Sequence, residues 1–366
     1  MERVHNITGT SPTNRLARVI SVHRVELSVQ RLLLYGSSAD IEIARPLCTP
    51  ALNRELLALR YNCERGVIMT NKIVIKEVAP RDGLQAQPQQ LTLEQRQRLI
   101  ESLAVTGVPE LEIGSFVSPK AVPQMAGTEV LAGQLPTADL AYSVLVPNMK
   151  GYELALAAGM RTYAIAISAT EEMNQNNIKK SLEETFLMAE DILERARGDG
   201  VDIHVYLAVS FVCPYEGPVD PETVLAQAER LMRLNPARLM IADTIGAAHP
   251  KQVNDLMATL VSRYGHQDLG CHFHDTRALA IANVYAAIEA GVRQFDSSAG
   301  GLGGCPFAPG AKGNVATEDV ALLCESMGYE TGIHMPRLLE SVALLSEFIG
   351  APQGGRSHYW LSRESA

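Results

Sequence analysis

The chain has 366 residues, 46% of them hydrophobic and 20% charged, with a formal net charge of −9. That length holds one large domain or two ordinary ones with a full core. No apolar run reaches the roughly 18 residues that would cross a bilayer, and the acidic balance argues against a broad basic face for nucleic acid.

Residues 1–68 differ from the rest of the chain. They hold nine arginines, no lysine and six acids, a net charge of +3 against −12 for the remainder. The segment has no steady periodicity and no apolar stretch with a small-residue cleavage site, so it is not a secretory signal. Its acids, Glu26 and Asp40 among them, argue against a transit peptide. The pattern changes at "MTNKIVIKEVAPRDG", and Met69 reads as the natural start. Residues 1–68 are expected to be a weakly ordered extension, with short helices near 24–35 and 51–60. The six cysteines, at 48, 63, 213, 271, 305 and 324, form no C-x-x-C pair. That scatter points away from a disulfide framework and toward a reducing cytoplasm.

From Lys72 onward, apolar runs alternate with helical patterns. "KIVIKEV" (72–78) reads as a strand and "TLEQRQRLIESLAVTG" (92–107) as a helix stopped by Gly107. "ELEIGS" (110–115) and "LAYSVLVP" (140–147) are the next strands, and "KGYELALAAG" (150–159) the helix after them. "TYAIAIS" (162–168) precedes "SLEETFLMAEDILERARGDG" (181–200), where Ser181 and Glu184 have capping-box spacing. "VDIHVYLAV" (201–209) leads into a helix over 220–235, "RLMIAD" (238–243) into one over 250–265, and "LGCHFH" (269–274) into one over 278–291. "QFDSSA" (294–299) precedes a helix over 317–328, and 335–350 is an additional C-terminal helix. Most of the runs are continuously apolar or β-branched, as in strands buried on both faces.

Strict strand–helix alternation implies parallel strands. Eight units over about 260 residues match an α/β (β/α)8 TIM barrel in count and size. A doubly wound sheet is the alternative, but the first turn, "APRDGLQ", lacks the glycine pattern of a phosphate loop. The domain is expected over 69–350, with residues 351–366 as a tail.

Barrel sites sit at the carboxyl ends of the strands, which selects the polar residues that matter. Residues two apart in a strand share a face, so His272 and His274 project together into the lumen. With Asp82 and Asn314, which fall at other strand ends, they make a mixed nitrogen and oxygen set suited to Mn²⁺ or Mg²⁺. The plainer reading makes the histidines satisfied core groups. Arg81 is either a turn ion pair worth little or a holder of a developing oxyanion. Asp243 is either a base or a cap for the next turn. Asn148 and Lys150 follow the third strand. Cys305 lies in "AGGLGGCPFAPGAKGNVATED" (299–319), with six glycines between Gly300 and Gly313. A thiol on such a loop is a proton donor or nucleophile if cations lower its pKa, or else incidental. Cys271 is expected to face the helices and Cys324 to lie in the core.

This last segment, with "EVAPRDGLQ", "IGSFVSPKAVPQM", "PNMKG", "CPYEG", "ADTIG" and "HFHDT", resembles the 3-hydroxy-3-methylglutaryl-CoA lyase family. The resemblance runs from about Lys72 to about Gly350. It implies a metal-dependent retro-Claisen lyase acting on an acyl-CoA. Asp82, His272, His274 and Asn314 correspond to ligands of a divalent cation, Mg²⁺ or Mn²⁺. Arg81 corresponds to the residue that stabilises the enolate, and Cys305 to the catalytic thiol. Asp243, Glu112 and Glu318 correspond to acids at or near the site, with His272 and Asp243 as candidate bases. Asn148 and Lys150 correspond to a stretch near the acyl-CoA chain. A homodimer or higher homo-oligomer is expected. The chain departs from the family pattern at Ser298, at Phe307 and at Arg277-Ala278, where a glycine is common in the second position. A longer 3-hydroxy-3-alkylglutaryl-CoA and a related acyl-CoA condensing synthase are the alternatives.

Overall fold

The computed structural model describes residues 71–304 and 313–364. The expected extension (1–68), Cys305 and Phe307 lie outside them. Eight strands form the core: β1 (Val74–Glu77), β2 (Glu110–Ser115), β3 (Ala141–Leu145), β4 (Thr162–Ser168), β5 (Asp202–Ala208), β6 (Arg238–Asp243), β7 (Leu269–Phe273) and β8 (Gln294–Ser297). Each pairs in parallel with its chain neighbours, and β1 pairs with β8, Val74 opposite Gln294, to close a barrel. A short antiparallel hairpin, Val212–Cys213 with Gly217–Pro218, lies outside it.

The helices are α1 (Leu93–Ala104), α2 (Thr128–Ala132), α3 (Met149–Ala157), α4 (Glu171–Ile178), α5 (Leu182–Asp199), α6 (Pro221–Met232), α7 (Pro250–Tyr264), α8 (Ala280–Glu289), α9 (Thr317–Ser326), α10 (Met335–Ile349) and α11 (His358–Glu364). Local chemistry sets their starts. Ser181 caps α5 and Glu184 returns the bond, the reciprocal box expected from the spacing. Thr92 and Gln95 do the same for α1. Sequence periodicity missed α2 and α4, which are too short to show a repeat of 3.6. It also missed α11, which lies within the segment expected as a tail.

Alternation along the strands sorts the residues into two layers. Ile75, Leu111, Ile165, Leu207, Ile241 and Phe295 face outward, fully or almost fully buried in one large core under the helices. Ala164, Tyr206 and Met240 face the lumen, together with a set of charged side chains. Between β2 and β3 the register slips between Glu112 and Gly114. A bulge of this kind changes the phase of a strand and re-aims the residues after it. Here Ser115 comes to line the lumen cavity although Leu111 and Ile113 point out.

Candidate metal and acyl-CoA site at the barrel mouth

β1 ends at Glu77, and the chain then makes a single π-helical turn, Ala79–Gly83, that carries Arg81 and Asp82. Glu77 fixes that exit. Its carboxylate accepts from the Ala79 N–H (2.8 Å), the Ala299 N–H (3.0 Å) and the Thr317 hydroxyl (2.6 Å). It is fully buried, and burial pushes its pKa up to about 7 in spite of these three donors.

Arg81 is clamped from two sides. Its Nε donates to Glu112 Oε2 and one terminal nitrogen donates to Asp82 Oδ1. The other oxygen of Glu112 lies 3.6 Å from Lys76 Nζ. Lys76 donates to the Tyr206 hydroxyl (3.2 Å), and Tyr206 donates to Asp296 Oδ2 (2.7 Å). The same Asp296 oxygen lies 3.1 Å from His272 Nδ1. A chain of buried polar groups therefore runs from Arg81 around the lumen to His272. Burial opposes ionisation of Asp296, but the hydrogen bond to His272 and the Lys76 charge outweigh it and hold its pKa low. Burial likewise disfavours a charged His272, and the Asp296 and Asp82 carboxylates reverse the direction, raising its pKa.

With Asp296 engaging Nδ1, the Nε2 of His272 faces the mouth, 3.9 Å from Asp82 Oδ2. His274 Nε2 lies 3.8 Å from the same oxygen, and the two imidazole centroids are 5.1 Å apart. One donor atom from each of Asp82, His272 and His274 falls within 4.8 Å of the others. Burial would raise the Asp82 pKa, but Arg81 and the two imidazoles hold it well below the usual carboxylate range. Asn314 Nδ2 is 2.9 Å from Asp82 Oδ2, and its Oδ1 has no hydrogen-bond partner among the described residues. Rotating the amide by half a turn would exchange the two atoms and direct the oxygen at the cluster. The residues thus fit a divalent cation: two imidazole nitrogens and a depressed carboxylate converge, and turning its amide would add the Asn314 oxygen as a fourth donor. A carboxylate behind His272 is the usual outer support of a ligating imidazole.

A cavity of about 950 Å³ opens over this cluster. Arg81, Asp82, His272 and His274 line one side and Leu145, Val146 and Ile178 another, with Gly303 and Gly304 at the rim. The two arms of the glycine-rich loop press together there. A Cβ on Gly313 would lie 2.2 Å from Gly303 Cα, so only glycine permits the contact.

Six of the residues chosen from sequence meet here: Arg81, Asp82, Glu112, His272, His274 and Asn314. The others do not. Asp243 follows the lumen-facing Ala242 and therefore turns away. Its carboxylate accepts the Ala247 and Ala248 N–H groups (2.8 and 3.0 Å), and burial raises its pKa against those bonds. Asn148 caps α3 by accepting from the Gly151 N–H, and Lys150 is exposed two residues on. Glu318 is fully buried, outside the cavity, against the Gly300 and Gly355 amides. Cys305 lies outside the described residues. Sequence reasoning did not single out Lys76, Glu77, Tyr206 or Asp296. A usable signal existed for Lys76 and Glu77, two charges that follow an apolar run, but not for Tyr206 or for Asp296, whose strand is mostly polar. Cys271 and Cys324 are fully buried in the core shared by the barrel's outer face and the helices, as expected.

A closed (β/α)8 barrel with a His–His–Asp cluster at the carboxyl ends of its strands is a TIM-barrel protein with a candidate metal centre at its mouth. The HMGL-like family model matches residues 72–345. The chain belongs to the HMGL-like family. It is 41% identical over 295 residues to the hydroxymethylglutaryl-CoA lyase of Pseudomonas mevalonii, covering 80% of this chain and 98% of that protein. It is 40% identical over 291 residues to the (R)-citramalyl-CoA lyase of Chloroflexus aurantiacus, covering 76% and 92%. The crystal structure of hydroxymethylglutaryl-CoA lyase from Pseudomonas aeruginosa matches with a TM-score of 0.78 at 36% identity, covering 81% of this chain and 99% of that one.

Proposed function

We propose that this chain is a carbon–carbon lyase that cleaves 3-hydroxy-3-methylglutaryl-CoA to acetoacetate and acetyl-CoA with a divalent cation, Mg²⁺ or Mn²⁺. The observation that carries the reading is the convergence of Asp82, His272, His274 and Asn314 beside a clamped arginine, in a chain 41% identical to a lyase of that name. In this retro-Claisen step the tertiary hydroxyl loses its proton and the bond between carbons 2 and 3 breaks. The electron pair passes to the thioester as an enolate, and carbon 2 then takes a proton. A bound cation would supply Lewis acidity at the substrate oxygens. Arg81 holds the enolate oxygen, and Glu112 with Asp82 fixes its guanidinium plane before substrate arrives. Cys305 is proposed to protonate carbon 2. Asp243 acts by shaping the exit of β6, since its carboxylate is engaged by backbone amides. Asn148 and Lys150, on the exposed start of α3, flank the entry of the acyl-CoA chain. Assembly as a homodimer or larger and a cytoplasmic setting belong to the same reading. Among the described residues, no helix is long and apolar enough to cross a membrane.

The test is incubation with Mg²⁺ or Mn²⁺ and the acyl-CoA, followed by assay for acetoacetate. Citramalyl-CoA belongs in the same panel because a lyase named for it is 40% identical, as do analogues with longer carbon-3 substituents. No acetoacetate with either cation would overturn the proposal, and faster turnover of another substrate would reassign the specificity.

A further inference from the structure

Residues 351–357, read from sequence as a tail, lie across the base of the loop that carries Asn314 and touch it at both ends. At the start, the Gly354 N–H donates to the Gly300 carbonyl (3.1 Å). The Gly300 N–H donates to Glu318 Oε2 (3.0 Å), while Glu318 Oε1 accepts the Gly355 N–H (2.7 Å). One buried carboxylate thus joins the loop's start, the helix after the loop, and the tail. At the loop's end, Asp319 accepts the Arg356 N–H (2.7 Å), the Ser357 N–H (2.8 Å) and the Ser357 hydroxyl. The surfaces meet with no room for side chains. A Cβ on Gly300, whose φ is +66°, would lie 2.9 Å from Gln353 Cβ, and one on Gly355 would lie 2.6 Å from Ala316 Cβ.

The tail also reaches toward the cluster itself. Arg356 Nε is 3.9 Å from Asp275 Oδ2. Asp275 follows His274, and its N–H donates to the Gly313 carbonyl (2.9 Å), one residue before Asn314. His274 and Asn314 are themselves paired as a backbone bridge. Ordering a seven-residue segment costs roughly 1–2 kcal/mol per residue in backbone entropy. Two carboxylates, each taking two backbone amides, offset that cost.

We propose that residues 351–357 are a clasp for the candidate cation centre, with Arg356, Asp319 and Glu318 as positioning residues that set His274 and Asn314 against Asp82. This rests on the proposed binding of a cation at the barrel mouth. Removing the clasp loosens two of four ligands, so it weakens cation binding and lowers kcat while leaving the acyl-CoA walls on β3 and α4 in place.

The experiment compares the full chain with a chain ending at Gly350, and with Arg356→Ala, Arg356→Lys and Asp319→Asn. Mn²⁺ binding is read from the resonance of the free ion, with kcat, KM and the melting curve recorded alongside. The expected result is Mn²⁺ binding weakened several-fold in the truncated chain, short of the 10–100-fold of a lost direct outer support, and by less in Arg356→Ala, whose side chain is 63% exposed and meets Asp275 at 3.9 Å. kcat falls while KM for the acyl-CoA stays within about twofold, and Arg356→Lys recovers part of the loss. A folded truncated chain that binds Mn²⁺ and turns over as the full chain does would overturn the clasp. If truncation prevents folding, unchanged Mn²⁺ affinity and kcat in both Arg356→Ala and Asp319→Asn overturn it instead. A full chain that binds no Mn²⁺ overturns the cation reading and the clasp together, a result distinguishable from the clasp failing alone.

Discussion

Along β7, Leu269, Cys271 and Phe273 point outward and are buried among apolar side chains, while His272 between them points inward to Asp296 and Asp82. The two faces of one strand, and of the whole barrel, follow different rules. Outside, each residue contributes by area and volume, and a neighbour of similar size can replace it. Inside, Lys76, Glu112, Arg81, Tyr206, Asp296 and His272 form a chain in which each group is desolvated and must keep its partner. Stability is concentrated on the first face and chemistry on the second, and the same backbone serves both.

Asp82→Ala tests the inner face most severely. It removes one proposed cation donor and one partner of Arg81, and kcat should fall by about 10³-fold, with the melting temperature little changed. An Asp82→Ala protein that binds Mn²⁺ as tightly as the parent would break the comparison. Ile241→Ala tests the outer face. It empties a fully buried position and should cost about 2–5 kcal/mol in denaturant unfolding, with kcat of the folded fraction preserved. Asp296→Asn keeps the volume and removes the charge behind His272. Cation affinity should drop about 10–100-fold, measured by Mn²⁺ titration.

Glu77 sharpens the contrast, because it is a charged side chain on the outer face. Its folded pKa lies at about 7 against 4.5 for an ordinary glutamate. Between those values the folded chain holds a proton that the unfolded chain has released. Glu77 therefore stabilises most below pH 4.5, and its contribution is lost as pH rises through 7. Glu77→Gln should flatten the stability–pH curve in that window; an unchanged slope would assign the decline elsewhere. The smallest effect is expected at Ala278, which holds φ at +57°. Ala278→Gly removes the Cβ clash at some cost in chain entropy, a net gain of about 0.5 kcal/mol by thermal melting.

The barrel was legible because its outer face writes itself as short, mostly apolar runs that alternate with helical patterns. The proposed cation donors were legible where they cluster in sequence, as in His272 and His274, or adjoin a strand end, as with Asp82. The supporting shell was harder to see. Asp296 matters only by standing opposite His272 across β7 and β8, and a pairing between strands leaves no mark in either one. Asp243 shows the reverse: one residue of alternation separates a lumen side chain from a cap. Ala278 occupies a left-handed position where the family resemblance expects glycine, so the departure marks strain in the backbone, not a change in the donors beside it.

The seam between β1 and β8 joins segments about 220 residues apart. Until Gln294 to Ser297 has been made, β1 and β7 each present an open row of amides and carbonyls to any other chain. Closing the ring is a late, long-range event in synthesis. A ribosome that stalls before that point leaves a product with two sticky margins, and such fragments are expected to go into aggregates or depend on chaperones.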